Sequence, residues 1–321
     1  MGEAGYMEVE DLYIVQRLTE NADLLEQLGT KEKFWFRDLL SRNSQRTLFK
    51  YSRPNTGEHW SEKCAEQLCL LLGLPHVNYD IAIHNGRYGV TSPNIVDKNE
   101  HLVMGNELLH RDDPDEYPRP VDFYENKQKV TSHTVTRVLA FLELSTILPP
   151  KSDFNLHGLG AAEVFCGYLM LDALISNQDR HHENWAVIVD SQDGKATFRL
   201  CPTYDHAASM GRELLDKERN ERLTTKDKNR SIEQFVKKAQ SQLYKLKTDK
   251  KPMKTVDAFI HAVQKYPVAK QYWLSKLDSL TEENIKRVFD RIPPDLISDI
   301  GRDFAYKVVI ENRKRLLKYY E

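Results

Sequence analysis

The sequence predicts an α+β protein in two lobes, a small β-rich amino-terminal lobe over residues 1–110 and a larger, mostly helical lobe over 111–321. Three observations lead there. Short runs of aromatic and β-branched residues fill the first hundred positions, whereas a helical period dominates after them. A polar, proline-rich run from Arg111 to Pro120 separates the two regimes. Within the second half, Trp185–Val189 and Ala196–Leu200 flank Asp193-Gly194, a two-residue hairpin signal.

In the first lobe the expected strands are Asp11–Val15, Lys33–Arg37, Arg46–Lys50 and Val77–Ile83, with turns at Asn55-Thr56-Gly57 and Asn85-Gly86. One helix interrupts them, Trp60–Leu72, because Cys64, Ala65, Leu68, Cys69, Leu71 and Leu72 share one broad face. Gly73 and Pro75 mark its end. In the second lobe Ala161–Ile175 reads as an apolar helix. From Ile232 onward helices continue, broken at Pro252, Pro267 and Pro293-Pro294, with Thr281 as an N-cap.

The composition narrows the function. With 46 basic and 48 acidic residues among 321, the net charge is −2, so no bulk field favours nucleic acid or an anionic membrane. No run approaches the ~18 apolar residues that a membrane span requires. The first residues carry Glu3 and Glu8 where a secretory signal needs a basic and then an apolar region. Cys64, Cys69, Cys166 and Cys201 form no C-x-x-C pair, which suits a reducing, cytoplasmic setting. Departure from the producing cell by a route without a cleavable signal stays open.

The most unusual stretch is Ser176-Asn-Gln-Asp-Arg-His-His-Glu-Asn184, a polar loop between an apolar helix and an apolar strand. Loops pinned this way often carry function. The hairpin then returns the chain to Tyr204-Asp205-His206. Mg²⁺ takes hard oxygen ligands together with substrate phosphates, and Asn184 and Asp205 offer an amide oxygen and a carboxylate. Asp179 is left to hold a substrate hydroxyl, which suffices for phosphoryl transfer. The cation that the phosphates need is expected from Lys50 at the end of its strand, with Glu62 on the following helix as its pair.

Together Asn177-x-Asp179-x-His181-x-x-Asn184, Tyr204-Asp205 and Leu48-Phe-Lys50 followed by Glu62 resemble the HipA-like serine/threonine kinases. The stretches from Gly29 to Phe36, Asn55 to Glu62 and Gly105 to Leu109 resemble short HipA-domain proteins, and little chain precedes the first of them. The resemblance implies a bilobed kinase fold, ATP and Mg²⁺, and transfer to a protein serine or threonine. It implies Asp179 as catalytic base, Asn184 and Asp205 as Mg²⁺ ligands, Lys50 on the α- and β-phosphates and His181 as a support of the loop. It further implies that Glu107 to Leu109 form the hinge that hydrogen-bonds adenine through its backbone. Autophosphorylation in the phosphate-covering loop, Asp38–Arg46, would fall on Ser41 or Ser44. An antitoxin-type protein partner also follows from the resemblance.

One departure is plain: no glycine occurs between Thr30 and Thr56, so the covering loop is not glycine-rich. That favours, as one alternative, a nucleotide-binding fold without transfer. A more distant likeness of Asp179-Arg-His-x-x-Asn184 to phosphoinositide kinases keeps a lipid or small-molecule acceptor open. A third reading makes Asp179, His181, His182, Asp205 and His206 ligands of a transition metal in a hydrolase. Singly, each residue has an ordinary explanation: Asp179 and Asn184 as turn formers, Glu62 as a first-turn acid, Lys50 as a solvated edge-strand lysine. Their joint order along the chain carries the reading.

Overall fold

The computed structural model describes residues 11–19, 24–26 (backbone alone), 32–37, 46–120, 129–192 and 195–320. Two sheets and ten helices are present among them. The first sheet contains β1 (Val15–Leu18), β2 (Leu24–Glu26), β3 (Lys33–Arg37), β4 (Arg46–Tyr51), β5 (Asp80–His84) and β6 (Arg87–Pro93) in the order β1-β5-β6-β4-β3-β2. Its pairs are antiparallel except for β1 with β5. Helix α1 (Glu58–Leu72) crosses from β4 to β5 and lies against β5 and β6.

Local chemistry accounts for these elements. In β3 and β4 the buried positions alternate, so Phe34, Phe36, Thr47 and Phe49 face inward. Asn85 and Gly86 both take positive φ, which joins β5 to β6 through the tight turn that matches strand twist. Gly73 ends α1 in the left-handed conformation and its N–H bonds back to Leu70.

The second sheet holds β7 (Glu100–Met104), β8 (Ile147–Leu148), β9 (Ala186–Gln192) and β10 (Lys195–Leu200) in the order β7-β9-β10-β8. The β9–β10 hairpin is regular from Gln192–Lys195 to Val187–Leu200, and its expected turn, Asp193-Gly194, lies outside the described residues. The other helices among the described residues are α2 (Gly105–Asp112), which packs on β7, α3 (Val135–Leu142), α4 (Ala161–Ile175), α5 (Asp216–Thr224), α6 (Ile232–Lys238), α7 (Thr255–Val263), α8 (Pro267–Ser279), α9 (Glu282–Asp290) and α10 (Asp299–Leu317).

Helix α4 is the axis of the helical part. Every residue in it except Glu163 is buried, the pattern of a helix enclosed on all sides. It packs on α3, α7, α8 and α10. The Trp273 indole N–H donates to the Glu163 carbonyl at 2.8 Å, and the buried Asn312 amide donates to Leu174 O at 3.1 Å and Ser176 Oγ at 2.7 Å. Asn312 thereby satisfies carbonyl and hydroxyl groups at the helix end that precedes the polar loop.

Several elements differ from the sequence reading. The first strand starts at Val15 rather than Asp11, because Tyr13 leaves the sheet to bury itself on the helices. Its hydroxyl donates to Val288 O and its N–H to Arg291 O, each at 2.8 Å. Val77 lies outside β5, since its N–H donates to Thr203 O at 3.0 Å. The run from Arg111 is not a bare connection: α2 continues to Asp112, and Tyr117 is buried with its hydroxyl 2.7 Å from His182 Nδ1. Pro267 begins α8 at its first turn instead of only breaking a helix, where the missing N–H leaves no bond unmade. Thr281 caps α9 as expected, its Oγ1 accepting from Asn284 N.

Two buried histidines make stability depend on pH. Burial drives His59 down to about 4, and burial together with His182 drives His133 well below the ordinary imidazole value. The native state therefore refuses protons that the unfolded chain accepts below about pH 6.5. Their contribution is complete above that pH and declines as the pH falls toward 4, by on the order of 1 kcal/mol per histidine per pH unit. The urea midpoint is expected to drop from pH 7 to pH 5, with a shallower drop in His59→Gln; equal midpoints at both pH values would contradict this.

Candidate active site

The polar loop after α4 begins with a left-handed residue. Ser176 takes φ 54°, turning the chain out of the helix, and Asn177 N donates to Asp172 O at 2.8 Å. Asp172 is an acid on an otherwise apolar buried helix, so it demands partners. Arg180 supplies them: Nε and Nη2 donate to the two Asp172 oxygens at 2.8 and 2.9 Å, and Asn177 Nδ2 adds a third bond at 2.8 Å. The rest of the Arg180 guanidinium donates to Asn184 O at 2.6 Å, Tyr204 O at 3.3 Å and Thr203 Oγ1 at 2.9 Å. One fully buried arginine thus joins the helix end, the loop and the segment after β10.

This knot positions the expected site residues. Asp179 is 49 % exposed at the loop surface, with its N–H donating to Asn177 Oδ1 at 3.2 Å. Asn184 is buried, and its Nδ2 donates to the Asp179 carbonyl at 2.6 Å. Among the described residues its Oδ1 receives no hydrogen bond. Asp205 sits in the left-handed region at φ 57°, a conformation uncommon for a residue with a side chain. Its N–H donates to Tyr79 Oη at 3.2 Å.

Lys50 reaches Asp205 from the other sheet, Nζ to Oδ2 at 3.0 Å, with the two side chains 15 % and 24 % exposed. Lys50 is not on a sheet edge: β4 lies between β3 and β6. Burial pulls its ammonium down, but the Asp205 and Glu62 carboxylates outweigh burial and hold it above the ordinary lysine value. The expected Lys50–Glu62 pairing is replaced. Among the described residues Lys50 has Asp205 as its ion-pair partner, and Glu62 accepts the His206 N–H at 2.6 Å. Glu62 therefore acts on Lys50 through space while fixing the residue next to Asp205.

His181 lies beside the loop acids, Nε2 3.9 Å from Asp179 Oδ1, and its Nδ1 accepts from Glu183 N at 3.2 Å. Glu107 and Leu109 do not form an extended hinge. Both are inside α2, where the Leu109 carbonyl accepts from Asp113 N at 3.1 Å. Ser41 and Ser44 lie outside the described residues. The transition-metal reading loses its ligand set. His182 is buried beside Tyr117, His206 Nε2 is 2.8 Å from Thr203 Oγ1, and no group of three His, Cys, Asp or Glu is gathered for a metal among the described residues.

Asp179 opens on a cleft of about 330 Å³ whose lining includes Arg53, Gln178, Arg212, Leu214 and Phe235. Arg53 and Arg212 each donate to Glu58 Oε1, at 2.8 and 2.7 Å, which fixes the start of α1 against the chain that follows Asp205. Ser61 Oγ and Ser209 Oγ, 2.8 Å apart, add a second tie. The sequence reading passed over Asp172, Arg180, Glu58 and Arg212. An acid in the buried, apolar stretch of a helix was the available signal for the first two. Nothing local marks the others.

Arg180→Met leaves the Asp172 carboxylate buried without its guanidinium. The variant is expected to lose about 3–5 kcal/mol in urea titration. A loss below about 1 kcal/mol, the scale of an exposed pair, would show that the knot does not hold the loop.

No protein-family model matches the sequence, and no curated protein matches it. Solved structures do. The Helicobacter pylori proinflammatory kinase CtkA superposes with a TM-score of 0.65 at 17 % identity, covering 90 % of this chain and 92 % of that one. HipA of Shewanella oneidensis MR-1, from a toxin–antitoxin complex with HipB and operator DNA, superposes with a TM-score of 0.55 at 12 % identity, covering 92 % of this chain and 65 % of that one. The chain has the HipA-type kinase fold.

Proposed function

We propose that the protein is an ATP-dependent kinase that transfers the γ-phosphate to a serine or threonine hydroxyl of a protein. The observation that carries this reading is the 3.0 Å contact between Lys50 of the first sheet and Asp205 beside the Asp179–Asn184 loop. Asp179 and Asn184 share the loop that Arg180 holds, and Lys50 meets Asp205 on the segment that the same arginine holds, which supports a reading in which acid, amide and ammonium groups act together. Phosphoryl transfer needs mainly positioning and charge stabilisation, and these groups supply both.

Each side chain has a task that its surroundings favour. Asp179, exposed at the cleft, accepts a hydrogen bond from the acceptor hydroxyl and orients it toward the phosphate. Lys50, kept charged by two carboxylates, binds phosphate oxygens. Asn184 and Asp205 offer the hard oxygen ligands that Mg²⁺ prefers, and when bound the ion supplies charge neutralisation on the phosphates. The donor set fits that ion: Asn184 spends Nδ2 on the Asp179 carbonyl and keeps Oδ1 without a hydrogen bond from the described residues. His181 supports the loop beside Asp179.

Asp179→Asn and Asp205→Asn are each expected to reduce ³²P incorporation from ATP by at least about 10²-fold, the scale of a positioned base, while circular dichroism is unchanged. Near-normal incorporation by either folded variant would remove the role given to that residue. Nucleotide-dependent thermal stabilisation without any transfer by the wild-type chain would support the nucleotide-binding alternative that the missing glycines favour.

A further inference from the structure

Next to the Asp179 cleft lies a surface dominated by positive charge. Between Gln234 and Val256 the chain carries seven lysines and a single acid, Asp249. Helix α6 contributes Lys237 and Lys238, and the loop after it is closed at its base by Ser241 N to Met253 O at 2.9 Å and Thr255 N to Ala239 O at 3.1 Å. Leu243 and Tyr244 are buried, and Tyr244 N donates to His133 O at 3.0 Å, so the base is anchored in the core. The tip, with Lys245, Lys247, Lys250 and Lys251, stands in solvent. Lys247 pairs with Glu116; Lys237, Lys238, Lys245, Lys250 and Lys251 form no ion pair among the described residues.

The loop is continuous with the cleft. Gln242 Nε2 donates to the Gln178 carbonyl at 3.1 Å, and Phe235, on α6 with Lys237 and Lys238, lines the cleft with Gln178 and Asp179. Inside the cleft the Arg53 and Arg212 guanidinium groups are balanced by the carboxylates of Glu58, Glu213 and Asp179, so the excess positive charge lies on the lysine loop. The whole chain is close to neutral at −2, so this concentration of positive charge is local.

We propose that the phosphate acceptor is an acidic segment of a polypeptide, whose carboxylates rest on the lysine loop while its hydroxyl enters the cleft at Asp179. This rests on the phosphotransfer reading. A peptide suits the surface better than a nucleic acid, because the tip offers no exposed aromatic ring on which bases could stack. A membrane suits it poorly too, since Leu246 is the exposed apolar residue of the tip.

The test uses two serine peptides, one flanked by glutamates and one by glutamines, against the wild-type chain and the Lys245→Glu/Lys250→Glu/Lys251→Glu variant. Anisotropy of the labelled peptides, without nucleotide, is expected to show binding of the glutamate peptide that weakens at high salt. In the variant that binding falls about tenfold, the scale of three exposed charge pairs, and the glutamine peptide is unaffected. With ATP and Mg²⁺ the variant's KM for the glutamate peptide rises by the same factor at unchanged kcat. Equal affinity for both peptides, or no change in the variant, overturns the proposal. So does tighter, lysine-dependent binding of a single-stranded RNA oligonucleotide or of phosphatidylserine vesicles. Because anisotropy needs no transfer, a chain that binds the glutamate peptide yet phosphorylates nothing keeps the docking surface and refutes the kinase reading instead.

Discussion

The fully buried ion pair between Arg180 and Asp172 is the constraint on which the site depends. A guanidinium and a carboxylate removed from water are tolerable only when nearly every donor and acceptor is satisfied. Here five of the guanidinium's bonds reach Asp172, Asn184, Tyr204 and Thr203, and Asn177 supplies a further donor to the acid. Those partners belong to the helix end, the polar loop and the return of the hairpin. Satisfying one buried charge therefore fixes the backbone at Asn184 and beside Asp205, and with it the two side chains proposed to hold metal.

A second set of contacts brings the first sheet to that frame. Glu58 holds Arg53 and Arg212, Ser61 meets Ser209, and Glu62 takes the His206 N–H. All three anchoring residues are on the first turns of α1, so the helix that follows the Lys50 strand is stitched to the chain that follows Asp205. Lys50 and Asp205 meet because their neighbours on both sides are tied. The strained backbone at Asp205 is stable in this setting, since the bonds to Tyr79 and to the adjacent His206 over-determine it.

Much of the fold was legible because its signals are local. Helix α4 was readable to the residue from its apolar composition, the β9–β10 hairpin from its turn pair, and α1 from its apolar face and Gly73. What was misread involved long-range partners. Tyr13 left its expected strand for a carbonyl of α9, far along the chain. Tyr117, in a stretch rich in proline and charge, was drawn into the core by His182. The segment Gly105–Leu109 became a helix because Gly105 N and Asn106 N find carbonyl partners at Trp185 and His182, which start its first turn.

The sequence by itself determined which chemistry was on offer: Asp179, Asn184 and Asp205 as oxygen donors in one half, Lys50 in the other, and an acid, Asp172, stranded on an apolar helix. Residue type and local period are written in the order of the chain. Only the tertiary structure decided that Lys50 pairs with Asp205 rather than Glu62, that Glu62 serves His206, and that Arg180 is the centre of the loop. These are competitions among charges brought together by packing, and burial strengthens whichever pairing best replaces the lost water.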